Sequence, residues 1–417
     1  MSKASIIGAY NTKFGALIEV KDMISFKKKI DTNSYYDLII EAGRGAIKDS
    51  GLEAKDIDAV WIGSCSPSRF VNQEHVAPIA VAIDPSLRFK PMTRTECACA
   101  SSSVAIYDAI YAIEAGRYKN VLVIGVEKMN LLDTAAMTAT LATCSYYPEE
   151  GGKGVTFPGL FAELAKAYAG FYKLSDSDLR TQLAHVAALC YRNAASNPLA
   201  HLQNGPASAE AILALPETGR GSNMMIASPL RIHDCSLVSD GAAAVVLTST
   251  ENAKATKEKV VEIAGIGHSC EYLPLSRRPN KHVLEAGKNA VGKAFKEAGI
   301  TIANVDIAEV HDCFTINQLL TTEALGLSAD GRAGFDYVAG RFSADDDQVC
   351  VNLSGGLKAK GHPVGATGAS MHALIYKQLM GDPIGLAPKK KAPKIGVTFN
   401  VGGSAVTNCV SVLRRIK

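Results

Sequence analysis

A chain of 417 residues in which hydrophobic residues make up 47% and charged residues 20% has the balance of a globular protein, long enough for two ordinary domains or for one duplicated core with an insertion. Lys and Arg total 44 against 41 for Asp and Glu, and the net charge of +3 excludes the strongly basic surface that nucleic acid requires, while leaving room for local basic clusters around a phosphorylated ligand. Ten cysteines with no CxxC pair and no zinc-ligand spacing predict reduced thiols in a cytoplasm and no metal site, and neither a membrane span nor a signal peptide is expected.

Ala4 to Tyr10 reads as a strand. Tyr36 to Ser50 carries apolar residues at helical spacing (Leu38, Ile39, Ala42, Ala46, Ile47) and closes on Gly51, a helix stop. Further strands are expected at Asp58 to Gly63, Thr93 to Ala98 and Asn120 to Val126, with a packed helix from Val104 to Arg117. Strands alternating with helices predict a parallel sheet covered on both faces. From Lys128 to about Leu230 the texture changes. Helical stretches such as Leu160 to Tyr172 and Asp176 to Ala195 are separated by glycine turns, so the segment reads as a mostly helical insertion before Ala242 to Leu247 resumes the sheet.

The second half repeats the first at a constant offset of 248: Ala46 matches Ala294, Lys48 matches Lys296, Gly51 matches Gly299, Asp58 matches Asp306 and Cys65 matches Cys313. Both copies run helix, glycine stop, polar loop and buried strand, which predicts a duplicated α/β unit. The second set of strands is expected at Val260 to Ile266, Ile307 to Val310, Val349 to Leu353, Lys394 to Phe399 and Val406 to Leu413, giving two five-stranded halves. The expected division is 1–127 with 231–252 for the first half, 128–230 for the insertion and 253–417 for the second half.

Four stretches carry residues that packing alone does not call for. Thr95 to Ala105 sets Cys99 at a strand-to-helix corner, where helical N–H groups favour a thiolate; a cysteine in a small-residue run is ordinarily a packing residue, and the other stretches weigh against that reading. Glu309-Val310-His311-Asp312-Cys313-Phe314 ends a buried strand with consecutive polar side chains, at the kind of strand end where α/β folds meet ligands. Lys358 to Ala369, with His362 held before a proline and glycines that admit a ligand to the backbone, opens a helix; a phosphate loop is excluded there because GxxxxGK[ST] is absent. Phe399-Asn400-Val401-Gly402-Gly403-Ser404 leaves another strand and reads equally as an oxyanion-binding backbone or an ordinary turn.

In this order and at these separations the four stretches resemble the thiolase superfamily, supported by Thr156 to Phe161, Asn193 to Pro198 and Ser239 to Ala243, so the likeness runs nearly end to end. The HDCF sequence, in place of NEAF, is similar to sterol-carrier-protein-2-type and archaeal-type thiolases. The resemblance implies a five-layered αβαβα core and thiolytic cleavage of a 3-oxoacyl-CoA, or the reverse Claisen condensation, with coenzyme A as co-substrate and no tightly bound cofactor. Substrates left open are acetoacetyl-CoA, a longer 3-oxoacyl-CoA and an aromatic one such as benzoylsuccinyl-CoA.

By position, the resemblance makes Cys99 the nucleophile and His362 its activator, and places His311 at the thioester oxygen. It assigns the backbone N–H groups of Cys99 and Gly402 to an oxyanion hole, and Ser236 to ligand contact, with coenzyme A lying along the 128–230 insertion. The sequence departs from the NEAF type at Asn400, where those enzymes carry an acid/base cysteine; amide nitrogen shuttles no proton at neutral pH, and Cys313 is the implied substitute. A homodimer or larger assembly is implied, as is a small zinc-ribbon/OB-fold partner for some relatives. A ketosynthase-type condensing enzyme and a weakly active scaffold or acyl-CoA-binding subunit are the rival readings.

Overall fold

A computed structural model of the chain describes residues 3–20 and 29–417; residues 1–2 and 21–28, part of the expected first half, lie outside the described residues. Ten strands form its main sheet: β1 (Ala4–Asn11), β2 (Ala59–Gly63), β3 (Met92–Thr95), β4 (Asn120–Glu127), β5 (Gly241–Ser249), β6 (Val261–Cys270), β7 (Ile307–Val310), β8 (Cys350–Val351), β9 (Ile395–Gly402) and β10 (Thr407–Arg415). Their order is β8-β7-β9-β10-β6-β1-β5-β4-β2-β3. Counted outward from the centre, the two halves run 1-5-4-2-3 and 6-10-9-7-8, the same topology twice. They meet where Ser5 and Ile6 pair antiparallel with Glu262 and Val261.

The repeat is visible in side-chain roles as well as in strand order. Asp58 accepts the N–H groups of Lys119 and Asn120 at 2.8 and 2.9 Å, and Asp306, its partner at the offset, accepts those of Lys394 and Ile395 at 2.7 and 3.0 Å. Each carboxylate thus anchors the start of the strand next to its own. Gly51 and Gly299 both end their helices with φ near +65° (68° and 65°), a conformation glycine adopts without steric cost.

The expected all-parallel sheet is corrected to a mixed one. β2 pairs parallel with β3 and β4, and β7 with β8 and β9, but β5 runs antiparallel to β1 and β4, and β10 antiparallel to β6 and β9. The last strand of each half returns between the first and fourth, and local periodicity carries no record of that direction. Both faces are nevertheless covered, since β4 is buried at every position.

Helix α1 (Tyr35–Ser50) packs on β1, β5 and β4. Helix α2 (Ser101–Glu114) packs on β2 and β4, while its Tyr107 hydroxyl reaches Ser411 of β10 at 3.1 Å. From 128 to 230 the chain forms α3 (Thr134–Ala142), α4 (Phe157–Tyr172) and α5 (Asp176–Ala194), with a short strand pair at Met225–Ala227 and Leu230–Arg231. In the second half, α6 (Glu285–Ala298) covers β6 and β10, α7 (Thr315–Leu325) packs on α6, and α8 (Thr367–Met380) touches β1, β5 and β9 together with α2. Helices α2 and α8 are therefore a central layer shared by both halves, and α1 and α6 are outer layers, giving the αβαβα order. Among the described residues no helix is long and apolar enough to cross a membrane.

Candidate active site

The site is built where α2 and α8 begin, at strand exits of both halves. Strand β3 stops at Thr95, and the chain turns through Cys97 to Ala100, closed by Ala100 N–H to Cys97 C=O at 3.0 Å and Ser101 N–H to Ala98 C=O at 3.2 Å. Ala98 takes φ of +50°, a left-handed conformation that a Cβ makes costly. That turn puts Cys99 just ahead of α2. Its small buried residues are a packing requirement: a Cβ on Gly63 would lie 2.4 Å from Ser102, and one on Gly368 2.3 Å from Ser103.

Burial pushes the Cys99 thiol well above its ordinary range, and the Cys144 and Glu127 side chains add to the rise; the Gly403 N–H bonded to the sulfur, and the N–H of Cys99 itself, pull the other way and lose. The pull toward a thiolate expected from the helix start is present but meets a stronger opposing effect. Desolvation outweighs the N–H groups at the helix start, and Cys99 rests as a neutral thiol.

His362 is also neutral, its pKa pushed down to about 3 by burial and by the Lys360 ammonium. Its Nδ1 lies 2.8 Å from Thr367 Oγ1, and that hydroxyl donates to Pro363 C=O at 2.9 Å. With its one proton committed, Thr367 accepts from Nδ1–H. The Nε2 lone pair of His362 is left free, which is the form of a base.

His311 has the opposite arrangement. Its Nδ1 is 2.9 Å from Asn400 Nδ2 and receives the Val401 N–H at 3.3 Å, while Asn400 Oδ1 accepts the Ser103 hydroxyl at 2.8 Å. Nδ1 is an acceptor, so the proton sits on Nε2, which is buried without a protein partner. Burial, then His362 and Lys360, hold the ring neutral. Cys99, His311 and His362 offer ligand atoms within 4.8 Å of one another, the count of a soft-metal site, but His311 presents an N–H where a metal needs a lone pair.

Cys99, Cys313, His362, Ser236 and Gly403 line one cavity of about 170 Å³, walled otherwise by Met129, Met137, Leu141, Phe157, Phe161 and Phe314 among others, with no Asp, Glu, Lys or Arg. Phe161 stacks on Phe314 at 4.5 Å. Burial pushes the Cys313 thiol up, and the Cys99 sulfur adds to it, so Cys313 too rests protonated. The Ser236 N–H donates to Cys313 C=O at 2.8 Å. Cys65, the repeat partner of Cys313, enters the same cavity. Gly402 ends β9 so close to the nucleophile turn that a Cβ there would lie 2.4 Å from Cys97 C=O; the N–H that meets the Cys99 sulfur belongs to Gly403. Lys128, at the start of the insertion, is buried between Asp31 and Asp240 at 2.9 and 3.1 Å.

Sequence reasoning gave no role to Thr367, Ser103 or Glu127, and held Gly403 only as one glycine of the 399–404 run. Glu127 accepts the N–H groups of Cys65 at 2.7 Å and Gly365 at 3.1 Å, tying the exit of β2 to the loop that carries His362. Burial raises its pKa to about 7 against the pull of those N–H groups. A carboxylate closing an otherwise apolar strand was the available signal for it.

Two family models match the chain, one described as Thiolase, N-terminal domain over residues 5–205 and one as Thiolase C-terminal domain-like over 267–415. The acetyl-CoA acetyltransferase of Methanothermobacter thermautotrophicus is 36% identical over 417 residues, spanning 100% of both chains. Human sterol carrier protein 2 is 30% identical over 92% of this chain and 69% of its own length. Among solved structures, the Ltp2-ChsH2(DUF35) aldolase superposes with a TM-score of 0.79 over 99% of this chain and 97% of that one; at 20% identity that likeness is one of fold.

Proposed function

The chain belongs to the thiolase superfamily, in the branch of the archaeal acetyl-CoA acetyltransferases and sterol-carrier-protein-2-type thiolases, and from that premise we propose how its residues divide the work of an acyl-CoA acyltransferase. The observation that carries the proposal is the placing of two histidines whose Nδ1 atoms meet different partners, Thr367 for His362 and Asn400 with Val401 for His311, beside the half-buried Cys99 thiol.

In the cleavage direction Cys99 Sγ attacks the 3-oxo carbon as its proton passes to His362 Nε2. The N–H groups of Cys99 and Gly402 receive the oxygen that becomes negative, with the Gly403 N–H beside them. The bond between C2 and C3 then breaks, its electron pair becoming an enolate whose oxygen accepts from His311 Nε2–H. Cys313 gives its proton to C2, releasing the shortened acyl-CoA and leaving the acyl group on Cys99. Coenzyme A then attacks the thioester, its thiol proton restores Cys313, and the departing Cys99 sulfur recovers its own from His362. Every proton is returned. The reverse sequence is the Claisen condensation.

A lining without Asp, Glu, Lys or Arg supports an uncharged acyl group, such as acetoacetyl or a longer aliphatic 3-oxoacyl chain, over a carboxylated aromatic one such as benzoylsuccinyl. Ser236, on the cavity wall, contacts the thioester arm. The segment 128–230 is the coenzyme A side of the molecule, with 1–127 plus 231–252 and 253–417 as the catalytic halves. Coenzyme A is a co-substrate, and the chemistry asks for no tightly bound cofactor. The cytoplasm is its place of work and a homodimer its smallest assembly. The DUF35 protein named with the structural neighbour supports a small partner subunit for this chain too.

Incubation of the purified protein with acetoacetyl-CoA and coenzyme A should yield acetyl-CoA in the wild type and none above background in Cys99→Ser. Equal rates in the two would overturn the proposal. A ketosynthase reading has no use for the Cys313 proton, and nothing in the cavity favours it.

A further inference from the structure

We propose that Asn400 is a positioning residue that fixes His311 in the tautomer carrying its proton on Nε2. The amide stands where the sequence resemblance places a catalytic thiol, and the reaction scheme gives it no proton to move. Its side chain is fully buried and spans two partners, Nδ2 to His311 Nδ1 at 2.9 Å and Oδ1 from the Ser103 hydroxyl at 2.8 Å. The amide nitrogen is the end that faces the ring, because a backbone N–H that can only donate already marks that ring nitrogen as an acceptor, which leaves Oδ1 for the Ser103 hydroxyl. The Val401 N–H, a donor with no alternative role, reaches the same ring nitrogen at 3.3 Å. Two donors on Nδ1 exclude a proton there, and Nε2–H becomes, among the described residues, a buried ring N–H without a protein partner, a state that persists where a ligand oxygen supplies the missing acceptor.

A thiol at position 400 would hold Nδ1 weakly, as S–H is a poor donor. A carboxylate would reverse the ring, accepting Nδ1–H and turning the Nε2 lone pair toward the enolate oxygen.

The kinetic consequence rests on the thiolase reading; the tautomer does not, and the two are separable. Long-range proton–nitrogen correlation spectra of protein labelled only on histidine ring nitrogens, with His311 assigned from the resonances lost in His311→Asn, should show Nε2 protonated and Nδ1 bare in the wild type. In Asn400→Asp the pattern should invert, with Nδ1 protonated and Nε2 bare. In the same variant, cleavage of acetoacetyl-CoA should fall about 10²-fold or more, the scale of losing one oxyanion donor, while acylation of Cys99 by acetyl-CoA stays within a few-fold. A structural defect would lower both together. Nδ1 protonated in the wild type overturns the inference, whether or not the variant folds, and so does an unchanged ratio of cleavage to acylation in a variant whose tautomer has inverted. The stated tautomer in a protein with no thiolytic activity would uphold Asn400 and overturn the thiolase reading instead.

Discussion

The rings of His311 and His362 stand perpendicular with centroids 5.0 Å apart and carry their single protons on opposite nitrogens. Neither arrangement is set by the other ring. Thr367 fixes one and Asn400 with Val401 the other, so one neutral imidazole offers a lone pair and its neighbour an N–H without either bearing charge.

Thr367→Val removes the acceptor for His362 Nδ1–H while keeping the side chain's shape. The ring then has no preference for the basic Nε2, and acylation of Cys99 should slow about tenfold or more, the scale expected when a catalytic imidazole loses its orienting partner. Rapid-quench measurement of acyl-enzyme formation checks this. His311-dependent steps should be little affected.

Because Cys99 rests as a thiol, its alkylation by iodoacetamide should climb by about tenfold per pH unit from pH 6 to 9 with no plateau. A resting thiolate beside an imidazolium would give a rate already level at pH 6. The site of alkylation is read by fragmentation mass spectrometry, which separates Cys99 from Cys97.

Cys313→Ala should lose cleavage of a 3-oxoacyl-CoA by about 10²-fold or more, since the enolate carbon then has no donor, and should slow acyl exchange between a simple acyl-CoA and Cys99 less, because the coenzyme A thiol, unlike a carbon acid, also exchanges its proton readily with water. Single-turnover assays of the two half-reactions give the answer. Undiminished cleavage would return Cys313 to packing.

Gly356 holds φ of +59°, and a Cβ there would lie 2.2 Å from Asp312 Oδ2, the carboxylate that also accepts the N–H groups of Leu357 and Lys358 at 2.6 and 3.1 Å. Gly356→Ala is expected to cost about 3 kcal/mol or more in unfolding free energy, because it combines a strained backbone with displacement of a buried charge. Denaturant unfolding measures it. The activity loss should exceed the stability loss, since Asp312 ties the His311 strand exit to the loop of His362.

What could be read from the sequence follows how far apart in the chain the cause lies. The duplication was legible because Gly51 and Gly299, and Asp58 and Asp306, do the same local work at one offset. His311 and Cys313 drew notice as part of a polar run at a strand exit, Cys99 as a cysteine at a strand-to-helix corner and His362 in a glycine-rich helix opening; their roles came from the family resemblance, and the fold brings Cys99, Cys313 and His362 to one cavity with the His311 ring beside His362. The direction of β5 and β10 was not, because pairing is decided by residues far off in sequence; nor was the lock on His311, whose Ser103 and Asn400 are 297 positions apart. The thiol state of Cys99 escaped for a related reason. Its helix-start context is local, but the desolvation that outweighs it comes from the whole surrounding fold.

The central claim is a covalent one, that Cys99 takes the acyl group. Intact-protein mass spectrometry after brief exposure to acetoacetyl-CoA, without free coenzyme A, should show one acetyl adduct that maps to Cys99 in the wild type and is missing in Cys99→Ser. An adduct that forms at the wild-type rate in Cys99→Ser, or that maps to Cys313, would contradict the account.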